Sequence, residues 1–365
     1  MAPIADPSRV DAQRAGVESA VTEGVRAYYG KVLRDQHDLK TSACCSTESV
    51  PAAHREILAQ IEPEVLEKFY GCGSPIPPLL EGCVVLDLGC GTGRDVYLAS
   101  KLVGPRGHVI GVDMTEEQLA VARRHLEEQM ERFGFASPNV SFRHGFIEDL
   151  AAAGIEDDSV DVVISNCVVN LSPDKPAVLR EIFRVLRPGG ELYFSDMFSG
   201  RRVPGALRDD PVLYGECLAG ALYVEDFRRI LARAGCADYR VVSKRRLTID
   251  DPGLEARVGG IDFYSITVRA FQLDTLEDIC EDYGQVAVYR GTIPEHPHRF
   301  ALDDHHEFIT GKPMLVCGNT ASMLSETRYA NHFRVTGDRR THYGPFDCAP
   351  ATAKGEDCSD GGACC

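Results

Sequence analysis

The sequence contains no uncharged apolar run long enough to cross a bilayer, and its longest basic cluster is Lys244-Arg245-Arg246. The first absence excludes a membrane helix, which needs about 20 consecutive apolar residues. The second, together with a net charge of −16, argues against a nucleic-acid partner, because a phosphate backbone is gripped by Lys and Arg. The opening MAPIADPSRVDAQRAG lacks the basic start and apolar stretch of a secretory leader, so a cytoplasmic location is expected. Also missing is any Cys-x-x-Cys pair, which leaves structural zinc poorly supported.

Cysteine itself is plentiful. Fourteen in 365 residues is a high count, and in a reducing compartment such thiols are more often catalytic, metal-binding or buried than disulfide-bonded. Hydrophobic residues at 44% and charged residues at 26% are ordinary for a globular chain. The length calls for two or three domains.

The texture changes along the chain. Residues 1–80 read as a helical appendage or lid, with helices expected over VESAVTEGVRAYYGKVL and PEVLEKFY, the second stopping at Gly71. From about 81 to 272, short apolar runs alternate with amphipathic ones: CVVLDLG, HVIGVD, VSFRHG, VDVVISN, ELYFSDM, YRVVSKRRL and FYSITVRAF. The first five, alternating with helices, predict a doubly wound, Rossmann-like parallel α/β sheet, and the last two β-like runs bring it to seven strands. Residues 273–347 read as a small α+β domain, and 348–365 as a flexible tail.

The run VVLDLGCGTGRDVYLASKL places Gly89, Gly91 and Gly93 between a strand and a helix. Glycines there let the backbone approach a ligand and leave a helix N-terminus facing it. Asp113 ends the next strand, 26 residues after Asp87, where a carboxylate can accept from ribose hydroxyls. It has a blander role as well, assisting the turn into MTEEQL, although Thr115 with Gln118 fits a capping box that would serve that turn. Glu148, with Asp149, can favour a helix start through the macrodipole.

In an open α/β sheet, ligands sit beyond the carboxyl ends of the strands. Cys167, after VVISN, and Cys217, in the connection after the fifth strand, both fall there, so their thiols can converge. Cys72 lies in a Gly- and Pro-rich link leading to the first strand, and Cys44 on the appendage. Thiolates on separate loops suit a soft ion captured by closure, yet any single cysteine is more often a buried small hydrophobe.

The Gly-x-Gly-x-Gly spacing and RVLRPGGELYFSD resemble the S-adenosylmethionine methyltransferases over about 83–272. The quartet SACC, FYGCG, SNCVVNL and GECLAGA, with EDYGQVAVYRGTIPEHP and GKPMLVCGNTASMLSETR, resembles the arsenite methyltransferase family along nearly the whole chain. That resemblance implies a methyl transfer from S-adenosylmethionine to arsenite and methylarsenite, regenerated by a thiol reductant such as thioredoxin or glutathione, in a monomer. It implies that Cys72, Cys167 and Cys217 bind trivalent arsenic, and that Cys44 joins Cys72 in redox cycling or the first methylation. It also places Tyr70, Asp87, Gly89, Gly91, Gly93, Asp113, Met114, Ile147, Glu148 and Asn166 around the cofactor.

Two other readings remain open at this point: another small-molecule methyltransferase with incidental cysteines, and an arsenic-sequestering protein that does not methylate. Cys83, Cys90, Cys236, Cys280 and Cys317 are expected to be buried packing residues, with Cys45 undecided. Cys348, Cys358, Cys364 and Cys365 fall in a loose polar tail. The four histidines of EHPHRFALDDHHEF read as surface or packing residues.

Overall fold

The computed structural model describes residues 21–29, 50–69, 71, 75–215, 217–249 and 252–348, in two compact units divided after Asp274. Cys44, Tyr70 and Cys72 lie outside the described residues, as do Cys45, Cys358, Cys364 and Cys365.

In the first unit, seven strands form one sheet: β1 (Val84–Leu88), β2 (His108–Asp113), β3 (Val140–His144), β4 (Val160–Asn166), β5 (Leu186–Ser199), β6 (Tyr239–Arg246) and β7 (Phe263–Phe271). Their order is β3-β2-β1-β4-β5-β7-β6, with Leu222–Tyr223 paired to the end of β5. The first five are mutually parallel, and β7 runs antiparallel to both β5 and β6. The five alternating strands are parallel as expected, and the last two strands, whose direction the sequence left open, add an antiparallel edge in which β7 inserts between β5 and β6.

Val85, Leu86 and Leu88 of β1 and Val162, Val163 and Ile164 of β4 are fully buried. Such continuous apolar runs belong to strands covered on both faces, and each buried aliphatic contributes about 1.5–3 kcal/mol. Helices Arg94–Val103, Glu116–Arg124, Lys175–Val185 and Val224–Arg233 provide the cover. The direction of sheet growth reverses between β1 and β4, and that switch point opens the ligand crevice.

The N-terminal segments belong to this unit. Residues 21–29 are helical, and the short helices Ala52–Leu58 and Pro63–Glu67 follow. Val65 is fully buried, and its carbonyl accepts from Thr92 Oγ1 at 2.9 Å, tying the appendage to the glycine loop.

The capping box expected at Thr115 does not form. Thr115 makes no side-chain cap, because its hydroxyl hydrogen-bonds Asp113, and Gln118 turns away, its Nε2 donating to the Tyr29 carbonyl at 3.0 Å. A tertiary partner 89 residues distant wins over the local one.

The second unit is built on a three-stranded antiparallel sheet, Pro313–Val316, Gln285–Tyr289 and Phe333–Thr336, with the helix Gly318–Ser325 and an aromatic core of Tyr289, Phe300, Phe308, Tyr329 and Phe333. His306 is buried in it, stacked on Phe308 and held by Asp303 at 2.8 Å, a packing role as expected. One expectation is corrected here. Cys280, Cys317 and Cys348 are not isolated fillers and tail thiols, since their sulfurs lie within 4.8 Å of one another. Among the described residues, no helix is long and apolar enough to cross a membrane.

Candidate active site

The loop after β1 carries three glycines with left-handed backbones, at φ 69° for Gly89, 53° for Gly91 and 89° for Gly93. Their reasons differ. A Cβ on Gly89 would meet the Val168 side chain at 2.4 Å, so the absence of a side chain lets the β1 and β4 loops touch. Gly91 is open around its Cα, and its N–H donates to Asp113 Oδ2 at 2.9 Å. Gly93 packs on the Phe142 ring and starts the helix; it does not line the cavity.

Over this loop lies a cavity of about 120 Å³ that opens to solvent, a concave site of the kind in which small ligands bind. Asp87, Gly89, Gly91, Asp113, Met114, Ile147, Glu148 and Asn166 all line it. Thr22, Val25 and Tyr29 close it from the N-terminal helix. Asp113 takes the turn role foreseen for it: Oδ1 accepts from Thr115 N–H at 2.7 Å and Oδ2 from Gly91 N–H at 2.9 Å, and lone pairs remain that could accept from a hydroxyl. Glu148 accepts from Ser172 Oγ. Asn166 Nδ2 donates to Asp95 Oδ2 at 3.1 Å.

The electrostatics favour a cationic guest. Asp87 is buried, and its carboxyl is pushed well up by that burial, then by the neighbouring carboxylates of Asp95 and Asp113. A positively charged ligand would relieve this crowding. Arg94 Nη1 and Asp95 Oδ1 form a buried ion pair at 3.4 Å at the cavity wall, and Gln118 Oε1 is buried there with no hydrogen-bond partner among the described residues, a group that a polar guest could satisfy. The Arg94 guanidinium stacks 3.7 Å above the Phe69 ring and so ties down the segment that leads to Cys72.

At the same edge, the two described cysteines of the candidate set meet. Cys167 lines the cavity, is 2% exposed and has φ 56°; Cys217 is 1% exposed and has φ 63°. Only four described non-glycine residues adopt positive φ, and these are two of them. Strain of this kind persists where surrounding structure enforces it and clusters at functional sites. Cys217 Sγ donates to the Cys167 carbonyl at 3.3 Å. Cys167 is in a disulfide, whereas Cys217 and the other described cysteines are thiols.

Buried polar groups hold the two loops together. Asn170 Nδ2 donates to Asp196 Oδ1 at 2.7 Å, its N–H donates to Asp196 Oδ2 at 3.1 Å, and its Oδ1 accepts from Leu222 N–H at 3.2 Å. A Cβ on Gly220 would stand 2.3 Å from the Asn170 carbonyl oxygen, so the loops are in direct backbone contact. The link before β1 approaches as well: a Cβ on Gly71 would stand 2.5 Å from Asn166 Nδ2. The residues adjoining Cys72 and Cys167 thus touch.

Sequence reasoning missed Asp95, Gln118, Lys175 and Asp196. Burial pushes the Asp196 carboxyl up to about 6, and burial followed by the Arg208 charge pushes Lys175 down to about 8, with Asp196, Cys217 and Glu148 acting against that shift. Asp95 sits two residues after Gly93, and that proximity to the glycine loop was the available signal. For the other three, only the folded chain reveals the contact.

The comparisons decide the lineage. A methyltransferase-domain family model matches residues 79–235, and a model described as the arsenite methyltransferase C-terminal domain matches 283–365. An arsenite methyltransferase from Aquipseudomonas alcaligenes is 56% identical over 325 residues, 89% of this chain and 93% of that protein. The chain belongs to the arsenite methyltransferase family. The human arsenite methyltransferase is 41% identical, covering 87% of this chain and 84% of its own length. The crystal structure of CrArsM, an arsenic(III) S-adenosylmethionine methyltransferase from Chlamydomonas reinhardtii, aligns with a TM-score of 0.79 at 55% identity, covering 82% of this chain and 100% of that one. Membership of this arsenite methyltransferase family accounts for both the glycine loop and the paired cysteine loops.

Proposed function

We propose that this chain methylates trivalent arsenic with S-adenosylmethionine, accepting arsenite and then methylarsenite, and so serves arsenic detoxification. The observation that carries this reading is the hydrogen bond from Cys217 to the Cys167 carbonyl at the rim of an acidic cavity. The trio of Cys72, Cys167 and Cys217 forms the arsenic cradle, and Gly71 against Asn166 supports the approach of the first member.

Asp113, Gly91, Met114, Ile147 and Glu148 hold the nucleoside part of the donor, Asp87 and Asp95 face its positive charges, and Tyr70 borders its methyl side. Bound there, S-adenosylmethionine supplies a methyl group on a positively charged sulfur. Arsenic held by thiolates keeps a lone pair that forms the new As–C bond, so the site needs no general base. The cysteine loops fix distance and angle, the term on which such a displacement most depends. Their rigidity comes from Asn170, Asp196 and Gly220. The half-buried Lys175 ammonium interacts electrostatically with Cys217.

Transfer raises arsenic formally by two electrons, and two thiols closing to a disulfide return them. The disulfide at Cys167 is consistent with such a cycle, which a cytosolic dithiol such as thioredoxin, or glutathione, would reset. Cys44 and Cys72 complete it in our reading, and the protein acts as a cytoplasmic monomer.

The test is incubation of the reduced protein with methyl-labelled S-adenosylmethionine, arsenite and a thiol reductant. Label in methylated arsenic is expected; arsenite retained without labelled product would instead indicate a sequestering protein.

A further inference from the structure

The second unit holds a cysteine cluster with no part in the cavity described above. Cys280, Cys317 and Cys348 come from three places in the sequence, yet their sulfurs lie within 4.8 Å of one another. Backbone pairing sets the approach: Gly344–Pro345 pairs with Glu281–Asp282, Phe346 N–H donates to the Cys280 carbonyl at 2.8 Å, and Cys348 N–H donates to Phe346 at 2.9 Å. Cys317 enters from the start of the helix Gly318–Ser325.

Cys317 is prepared as a ligand. It is fully buried, and its sulfur accepts from Thr320 N–H at 3.4 Å and lies 3.3 Å from Thr320 Oγ1. That hydroxyl is 3.4 Å from His306 Nε2, and the other ring nitrogen rests on buried Asp303. A helix N-terminus and an ordered outer layer of this kind favour a thiolate and fix its direction.

We propose that Cys280, Cys317 and Cys348 form a second thiophilic site, separate from the methyl-transfer centre, that binds one trivalent arsenic. The ligand count selects the occupant. Among the described residues this group has three sulfurs and no fourth ligand; zinc is completed by four ligands, whereas trivalent arsenic is satisfied by three thiolates, its lone pair filling the remaining direction. With arsenous acid, three As–O bonds give way to three As–S bonds, and each thiol proton leaves with a hydroxide as water. No electrons are exchanged. In this reading the site binds and retains arsenic.

The test measures arsenic bound to the reduced full-length protein after gel filtration. The background is Cys167→Ser/Cys217→Ser, which removes the methyl-transfer centre, so the outcome does not depend on the proposed transfer. Cys280→Ser and Cys348→Ser, at half-buried positions, should each lose one equivalent with an unchanged circular dichroism spectrum; Cys236→Ser, at a buried thiol outside the cluster, should lose none. The arsenic absorption-edge spectrum of the background protein should report three sulfur neighbours. Three results would each overturn the assignment: an unchanged stoichiometry in the cluster variants, loss of the equivalent in Cys364→Ser/Cys365→Ser instead, or one zinc in the protein as isolated that disappears in the same cluster variants.

Discussion

Cys217 Sγ reaches the carbonyl of Cys167 at 3.3 Å although 50 residues separate them. Both backbones are left-handed there, a conformation that costs on the order of 1–3 kcal/mol for a residue other than glycine. The fold tolerates two such positions side by side because the flanking loops are bolted through Asn170, Asp196 and Gly220. Arsenic chemistry gives the expense a purpose, since it places two sulfurs beside one cavity.

Removal of either thiol should therefore separate acceptor from donor. Cys167→Ser and Cys217→Ser are expected to lower arsenite methylation on the order of 100-fold or more, with binding of S-adenosylmethionine retained. Equilibrium dialysis of the cofactor beside product assays checks both halves. Another methyltransferase with incidental cysteines would keep its activity.

The contact between loops offers a test that leaves every sulfur in place. In Gly220→Ala the new methyl would press on the Asn170 carbonyl oxygen, and a misplacement of about 1 Å costs roughly 100-fold. Methylation should fall by about that much at saturating cofactor, while affinity for the cofactor holds.

Asp113 supports the glycine loop, and in the proposed reading it holds the nucleoside. Asp113→Ala removes two charged hydrogen bonds, each worth about 1.5–3 kcal/mol. A loss in affinity for S-adenosylmethionine of at least about tenfold is expected, read by calorimetry with no arsenite present.

Lys175 gives a pH signature. Burial brings its ammonium down to about 8, so its charge is present below that pH and lost above it. The charge acts on Cys217, and Lys175→Met should slow arsenite capture at pH 7. Above about pH 8 the wild-type lysine is itself neutral, and the two proteins should converge. A constant ratio of capture rates from pH 6.5 to 9.5 would remove Lys175 from the account.

The role assigned to Cys44 separates the methylation steps. Cys44→Ser is expected to impair the first transfer, from arsenite, more than the next, from methylarsenite. Comparison of initial rates with the two substrates checks this, and equal losses would count against it.

Much of this site was legible in the sequence because its parts obey a topological rule. Cys167 follows β4 and Cys217 follows β5, so a parallel sheet brings both to its carboxyl edge whatever the details. The glycine loop and Asp113 were visible for the same reason. Gly93 was only half legible: spacing marks it as a loop glycine, and nothing local shows that Phe142 fills the space beside it. Gln118 illustrates the opposite limit, where a carbonyl on a distant helix takes the side chain that a capping box would use. The trio of Cys280, Cys317 and Cys348 was invisible, because two-residue strands and a helix start assemble it and none of these carries periodicity. Antiparallel β7 escaped similarly, since strand direction leaves no mark on an apolar run.

The most direct measurement is the position of arsenic itself, located by anomalous diffraction from crystals of the reduced protein soaked with arsenite and S-adenosylhomocysteine. The account predicts a peak bonded to the sulfurs of Cys167 and Cys217, facing the thioether of the bound nucleoside across the rim of the cavity. Arsenic found only elsewhere, with those two sulfurs bare, would contradict it.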